Sequence, residues 1–351
     1  MLRRSLVGLA ASLVALLPFG LGSAAGGDGY RISGPVVHEN LAIYFIHGKA
    51  ATGVTPITLQ EAMAKGAVKV HETGNVNELT IENLGNTEVF VQIGDIVKGG
   101  QQDRVLTVSL VLPPNSGRVP IAAFCVEQGR WTARGKEDVK TFSGSAAAMP
   151  SKSAKAAMRA YVVSSTGPSD VRIAGRATET GVRQQEMWDE IKRTQDKLTR
   201  SVGAPVIAPA SPSSLQLSIE TEKIKQAQEA YVKALEPAGE KENDIIGYVF
   251  AINGKLNSAD LYPSNELFRK MWGKLLRANA TEAIAEKKDA GDTPPSTDAV
   301  LAFLRAAEGG KKQEKVLPLK VQLETRDGDK ALYSEVRRAD GSWVHRNYLA
   351  K

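Results

Sequence analysis

The stretch that organises this chain begins Ile93-Gly94-Asp95-Ile96-Val97-Lys98-Gly99-Gly100-Gln101-Gln102-Asp103-Arg104 and ends Cys125-Val126-Glu127-Gln128-Gly129-Arg130-Trp131. Between these polar runs lie two apolar segments, 105–112 and 119–126, joined by a Pro-Pro turn. The pattern predicts a β-hairpin. Antiparallel pairing returns the end of the second strand to the start of the first. We therefore expect Asp103 and Arg104 to lie near Glu127 and Arg130.

The elements on either side of this hairpin predict an α+β protein. Residues 28–142 read as antiparallel β-sheet layers, sandwich-like, because short alternating strands need a second layer to cover their apolar face. Residues 143–240 read as linkers and helices. Residues 241–351 read as a mixed part, with a β-hairpin, helices and a β-meander, that packs on the same body.

Several boundaries follow from local signals. Pro35 to Ile46 is predicted as one strand, and Ser143 to Ala157 as a surface connection rich in Ser, Ala, Lys and Pro. A helix is predicted over Thr180 to Thr199, and another is expected to stop at Pro237 and Gly239. Asn253-Gly254 predicts a type I′ turn between two strands.

The N-terminus reads as a targeting segment. Arg3 and Arg4 precede an apolar run, and Gly22-Ser23-Ala24-Ala25 supplies the small residues that a signal peptidase requires. We therefore predict a signal peptide over residues 1–25, with a retained membrane anchor as the alternative. The protein is then exported, periplasmic or secreted, and has no membrane span once the leader is removed.

Composition indicates a folded protein without a nucleic-acid partner. The 351 residues are 42% hydrophobic and 24% charged, which favours a globular fold over disorder. The net charge is +6, and it falls to +4 without Arg3 and Arg4. Lysines and arginines are mixed with acids and form no basic stripe, so nucleic-acid binding is not expected.

The polar runs supply the candidate ligand-binding residues, namely Asp95, Gly99, Gly100, Gln101, Arg104, Glu127, Arg130 and Trp131. Consecutive amide groups at Gly99-Gly100 can cradle an anion, although a plain turn has the same sequence. Arg104 and Arg130 either grip a phosphate or carboxylate or pair with Asp103 and Glu127 to close the hairpin. Trp131 is the aromatic residue expected at the lip of such a site.

Three residues are candidates for catalysis. Asp103 and Glu127 form an acid pair of the kind that performs general acid–base chemistry. Cys125, the only cysteine, is either a small buried hydrophobe or a reactive thiol backed by Arg130. The four histidines lack paired metal-ligand spacing, and no nucleotide-binding glycine motif is present, so the sequence indicates no metal and identifies no cofactor.

Several ordered motifs together resemble a known family. They are Gly94-Asp95, Gly99-Gly100-Gln101 with Arg104, the run from Cys125 to Trp131, Trp188, and the hairpin from Gly247 to Tyr262 with Asp260. The chain resembles the ARG and rhodanese-phosphatase-superfamily-associated protein (ARPP) domain family over most of its length after the leader. That family is named for genomic neighbours, ADP-ribosylglycohydrolases and phosphatase-like proteins. The resemblance therefore implies a link to NAD or ADP-ribose processing.

Three functions fit these observations. The favoured one is a ligand-binding or interaction module for a small anionic or nucleotide-like ligand, or for a protein partner, because no complete nucleophile, base and orienting group is evident. The alternative is a hydrolase of phosphate or glycosyl bonds that uses Glu127 or Asp103 with Arg104 and Arg130 as anion clamps. A structural role in the cell envelope is the third.

Overall fold

The computed structural model describes residues 24–25, 29–51, 53–164, 179–288 and 292–351. The predicted leader lies outside the described residues, except for Ala24–Ala25, which form a short strand beside the next one. Cleavage of the leader and export therefore stay predictions. Within the described ranges, none of the helices combines the length and the apolar character that a bilayer crossing requires.

The strands are β1 (Ala24–Ala25), β2 (Arg31–His38), β3 (Leu41–His47), β4 (Ile57–Thr58), β5 (Val68–Glu72), β6 (Glu78–Asn83), β7 (Val89–Val91), β8 (Asp95–Gly99), β9 (Arg104–Leu106), β10 (Leu110–Leu112), β11 (Gly117–Cys125), β12 (Phe142–Ala148), β13 (Ile245–Ile252), β14 (Lys255–Leu261), β15 (Lys311–Val316), β16 (Gln322–Asp327), β17 (Ala331–Arg337) and β18 (Trp343–Ala350). The helices are α1 (Leu59–Ala64), α2 (Lys152–Ser164), α3 (Glu179–Val202), α4 (Leu215–Ile219), α5 (Glu222–Glu240), α6 (Asn265–Ala285) and α7 (Thr297–Glu308). Sheets and helices with mostly antiparallel pairing confirm the α+β class.

The long sheet joins the two ends of the chain. Its strand order is β1-β2-β3-β13-β14-β18-β17-β16-β15, and β3 pairs with β13 so that Phe45 lies opposite Tyr248. The parts predicted as 28–142 and 241–351 therefore share one sheet. The predicted type I′ turn is confirmed, because Asn253 and Gly254 have φ of 48° and 67°.

The hairpin sheet carries the polar runs and has the order β12-β8-β9-β11-β6-β5, while a small sheet has the order β10-β7-β4. The prediction of one strand over 105–112 is wrong, because β9 and β10 belong to these two different sheets. Thr107 and Ser109 lie between them and are buried. Their hydroxyls bond to main-chain groups of other segments, Ala122 O at 3.1 Å and Ile93 N at 2.9 Å, so the chain changes sheet at this point.

Two further predictions in the sheets are wrong. Pro35 to Ile46 is not one strand but parts of β2 and β3, which turn at Glu39 with a φ of 50°. Residues 143–157 are not a surface connection, because they supply most of β12 and the first half of α2. Small Ser, Gly and Ala side chains allow β12 to lie beside β8, where Phe142 pairs with Gly99.

The helical predictions hold better. The helix over 180–199 is confirmed as α3, but α5 continues through Pro237 to Glu240. A proline at this position removes one main-chain hydrogen bond of the helix, and tertiary packing holds the last turn against α6. The Trp272 indole donates to Glu236 O at 2.9 Å, and a Cβ at Gly239 would lie 2.3 Å from the same indole nitrogen.

Helix α6 lies at the centre of the core. Ser264 caps it as expected, because its Oγ accepts from Leu267 N at 3.2 Å. The helix contacts α3, α5, β12 and β13, and its apolar residues include Phe268 and Trp272. Lys274, Asn279 and Glu282 on the same helix are also buried. Helix α6 therefore brings polar groups into the interior.

Candidate functional site

The two polar runs meet as the hairpin predicts. In the β9–β11 pairing Arg104 lies opposite Cys125. Just beyond the strands the main-chain N–H of Asp103 donates to Glu127 Oε2 at 3.0 Å, and Arg130 Nε donates to Glu127 Oε1 at 2.7 Å. The expected proximity of Asp103 to Glu127 and Arg130 is confirmed, whereas the Arg104 side chain contacts Glu72.

A further arginine, which the sequence analysis did not include, completes the cluster. Arg134 grips Asp103 with both terminal nitrogens, at 3.0 Å to Oδ2 and 2.9 Å to Oδ1. It also donates to Glu127 Oε1 at 3.3 Å and to Glu137 Oε1 at 3.0 Å. The planar guanidinium matches a carboxylate bidentately, so Arg134 fastens the loop after β11 to the hairpin. No local sequence signal distinguishes it from a surface arginine.

The two carboxylates at the centre are fully buried and hydrogen-bonded from several sides. Asp103 Oδ1 accepts from Arg134 and Gly99 N, and Oδ2 accepts from Arg134 and Ser214 Oγ at 2.9 Å. Burial raises the pKa of Asp103 above its ordinary value, against the effect of Arg134. Burial would also raise the pKa of Glu127, but hydrogen bonds from Arg130, Ser211 and the Asp103 amide hold it below its ordinary value.

The glycine turn is present, and its amides are already engaged. Gly99 has a φ of 115°, which only glycine adopts without strain, and Gly100 has a φ of 56°, which favours glycine. Gly99 N donates to Asp103 Oδ1 at 3.0 Å, and Gly100 N to Asp138 O and Thr141 O, each at 3.1 Å. The carbonyl groups of both glycines accept from Arg130. The turn therefore holds the protein's own carboxylate in the place where an external anion was predicted.

The remaining predicted ligand-binding residues lie around this cluster. Arg104 is buried, with Nη2 at 3.3 Å from Glu72 Oε2, which also accepts from Gln101 N at 3.3 Å. Asp95 is buried at the start of β8 and pairs with Lys274 Nζ at 2.5 Å. Trp131 alone is well exposed, at 48%.

Cys125 has the environment of an inert thiol. It is fully buried, and its Sγ lies 3.1 Å from Gln102 Oε1. Burial raises the pKa of Cys125 to about 12. A thiol, and not the nucleophilic thiolate, is therefore the state present at neutral pH.

Together these contacts make a buried ion-pair network that ties β9, β11 and the loop after β11 to the cap of α4, since Ser214 is the residue that caps that helix. Of the two arrangements that the sequence left open for the arginines, Arg130 has the pairing with Asp103 and Glu127. Arg104 pairs with Glu72 instead. Ligand binding or catalysis by these residues stays a prediction.

A second polar group lines a cleft of about 270 Å³ between the start of α2, α3, α6 and the β13–β14 hairpin. Glu282 on α6 is 6% exposed, and its Oε1 accepts from Asn257 Nδ2 at 2.8 Å and from Lys152 N at 3.0 Å. Glu282 Oε2 and Asn257 Oδ1 have no hydrogen-bond partner among the described residues. Burial raises the pKa of Glu282, although Lys155 Nζ lies 3.9 Å away and opposes the shift.

The rim of this cleft is positively charged. Lys152, Lys255 and Lys288 line it and make no ion pair with any residue that the structure describes. The other two acids of the cleft are neutralised, because Glu190 pairs with Arg193 at 2.7 Å and Glu286 pairs with Lys197. The cleft thus combines buried acceptors at its floor with free ammonium groups at its rim. Sequence reasoning missed it, because its residues come from segments far apart in the chain.

A serine, a histidine and an aspartate also lie in line inside the fold. His345 Nδ1 is 3.1 Å from Ser109 Oγ, and His345 Nε2 is 3.1 Å from Asp260 Oδ1. The adjoining cavities of about 20 Å³ have no room for an acyl group, and Ser109 already accepts from Ile93 N. The arrangement therefore cross-links β14, β18 and the chain between β9 and β10.

One grouping among the described residues has metal-ligand spacing, namely His47, Glu242 and Asp244. Arg31 Nη2 lies 2.8 Å from His47 Nδ1, 3.0 Å from Glu242 Oε2 and 3.2 Å from Asp244 Oδ2. A guanidinium therefore occupies the position in which a cation would be held.

The fold and its buried groups define an α+β protein in which the N- and C-terminal strands share one sheet and a polar cleft opens beside the central helix. The chain belongs to the ARG and Rhodanese-Phosphatase-superfamily-associated Protein domain family, whose sequence model matches residues 29–349. The resemblance seen in the sequence motifs is thereby confirmed. Searches of curated proteins and of solved structures gave no match.

Proposed function

We propose that this ARPP family member is a ligand-binding module, and that its site is the cleft beside Glu282. The observation that carries the proposal is the pair of buried acceptors without hydrogen-bond partners among the described residues, Glu282 Oε2 and Asn257 Oδ1, in the lining of the cleft. The nearest cation to Glu282 Oε2 is Lys155 Nζ, at 3.9 Å. A buried acceptor without a donor is unfavourable by about 1–3 kcal/mol, and by more when it is charged. A ligand with hydroxyl or amine donors removes that penalty.

The chemistry of the cleft favours a sugar phosphate or a nucleotide fragment. Neighbouring ribose hydroxyls are donors that match a carboxylate and an amide oxygen, and the ammonium groups of Lys152, Lys255 and Lys288 match a phosphate at the rim. The volume of about 270 Å³ is just below the range of roughly 300–1,000 Å³ usual for drug-sized ligands. The cleft therefore suits a ribose phosphate moiety, as free ligand or as part of ADP-ribose.

Calorimetric titration of the full chain with ribose 5-phosphate, ADP-ribose, ribose and inorganic phosphate tests this proposal. We expect Glu282→Gln to weaken binding about ten- to a hundredfold, because a hydrogen bond to a charged group contributes about 1.5–3 kcal/mol. Lys255→Ala should weaken the binding of the ligands that contain phosphate and leave the binding of ribose unchanged. The matched control is Glu229→Gln, an exposed glutamate paired with Arg277 at 2.9 Å, which should bind as the wild type does.

Two outcomes would overturn the proposal. One is a flat titration with all four ligands. The other is normal binding by Glu282→Gln together with loss of binding in a folded Arg130→Met protein, which would return the site to the hairpin.

A further inference from the structure

Arg159 on α2 is a buried cation with unused hydrogen-bond donors. Its residue exposure is 6%. Nη2 donates to Ser334 Oγ at 2.8 Å, to Asn347 O at 2.8 Å and to Asn347 Oδ1 at 2.7 Å. Nε and Nη1 have no acceptor in the part of the chain that the structure describes. Two of the three guanidinium nitrogens are therefore unsatisfied.

Arg159 lines a small cavity of about 20 Å³. The polar groups around it are the hydroxyls of Thr107, Ser109, Thr325 and Ser334 and the His345 ring, and the rest of the lining is apolar. The Thr107 hydroxyl already donates to Ala122 O at 3.1 Å, but the hydroxyls of Thr325 and Ser334 are potential donors. No carboxylate lines the cavity. A volume of this size holds about one water-sized particle.

The charge of Arg159 lacks a direct counter-charge. No described carboxylate forms an ion pair with Arg159. Asn347 lies between Arg159 and Asp260, because it accepts from Arg159 and its Nδ2 donates to Asp260 Oδ1 at 2.7 Å. Asp260 is itself held by His345 at 3.1 Å and Tyr248 at 3.0 Å. Burial lowers the pKa of Arg159 to about 10. An unpaired buried charge is strongly unfavourable, and a small anion in the cavity would offset it.

We propose that this cavity binds a monatomic anion of the halide class, held by Arg159 Nε and Nη1 and by the hydroxyls of Thr325 and Ser334. The site is separate from the cleft beside Glu282 and does not depend on the proposed function. The bound anion would neutralise the buried Arg159 and so stabilise the packing of α2 against β17 and β18.

Stability of the full chain in sodium bromide and in sodium gluconate of equal ionic strength provides the first test. Equal ionic strength keeps the screening of surface charges the same, and gluconate is too large for the cavity. We expect Tm to rise with bromide concentration. At bromide concentrations above the Kd, each tenfold increase should raise Tm by the same amount, as mass action requires. Arg193→Met, an exposed arginine with a side-chain exposure of 58%, should keep this response, and Arg159→Met should lose it.

A crystal of the wild-type protein soaked in bromide gives a readout that needs no variant. We expect an anomalous peak within contact distance of Arg159 Nε and Nη1. Equal stability in the two salts, or an ordered water in place of the bromide peak, would overturn the proposal.

Discussion

Replacing Arg134 by methionine removes the guanidinium that bridges the two buried carboxylates and leaves the apolar volume largely in place. Arg134 makes two bonds to Asp103, of 2.9 and 3.0 Å, and lies 3.3 Å from Glu127. Without it, Arg130 alone faces both acids. We expect the loop after β11 to detach before the rest of the fold unfolds, because the charges that hold it in place are no longer balanced.

The magnitude follows from burial. The Arg134 side chain is 7% exposed and Asp103 is 0% exposed, so the pair is screened little by solvent. Removal of one partner of a buried ion pair lowers the free energy of unfolding by about 3–5 kcal/mol. Arg118 provides the matched control, with a side-chain exposure of 65% and a distance of 3.9 Å to Glu82. For such a surface pair we expect a loss of about 0–1 kcal/mol.

Urea denaturation at neutral and at mildly acidic pH measures both effects. Burial already raises the pKa of Asp103, and loss of Arg134 raises it further. A carboxyl whose folded-state pKa is raised destabilises the protein increasingly as pH rises from its ordinary pKa to the raised one. Arg134→Met should therefore lose more stability at neutral pH than in acid. A loss within about 1 kcal/mol of that of Arg118→Met, or one that grows in acid, would refute the reasoning.

Three further predictions concern single residues. Glu282→Gln should match the wild type in stability at acidic pH and exceed it increasingly as pH rises above the ordinary glutamate pKa, because burial raises the pKa of Glu282; urea titrations across pH test this, and equal curves would contradict it. Cys125 should stay unreactive towards a thiol reagent in the native protein and react in denaturant, whereas rapid native labelling would show an accessible thiolate. Gly100→Ala should lower stability in thermal melts by more than Gly135→Ala, because a Cβ at Gly100 would lie 2.3 Å from the Phe142 ring and one at Gly135 meets nothing within 4 Å. Gly135→Ala should lose about 1–2 kcal/mol from its positive φ alone, and an equal loss in the two variants would show that the ring moves aside.

Local sequence signals identified the elements whose geometry depends on nearby residues. The Asn253-Gly254 turn and the Ser264 cap are each encoded within a few positions, and the structure has both. The pairing of β9 with β11 also follows from the sequence, because a short connection leaves antiparallel pairing as the simplest arrangement. The α+β class rests on the same local patterns.

Sequence reasoning failed where a residue's role depends on distant partners. Residues 143–148 read as a connection, but β8 offers them a strand edge at which small side chains fit. Pro237 read as a stop signal, but packing against Trp272 holds the last turn of α5. In both cases tertiary contacts outweigh the local preference.

The same division applies to the sites. From the sequence alone it follows that Asp103 and Glu127 meet, because the hairpin places them together. Only the tertiary structure shows that Arg134 closes this cluster, that Glu282 and Asn257 share a cleft, and that Arg159 is buried without a counter-charge. Burial and hydrogen-bond satisfaction are properties of the folded chain, set by groups more than a hundred residues apart in the case of Lys152 and Glu282. The pattern of residue types cannot encode them one segment at a time.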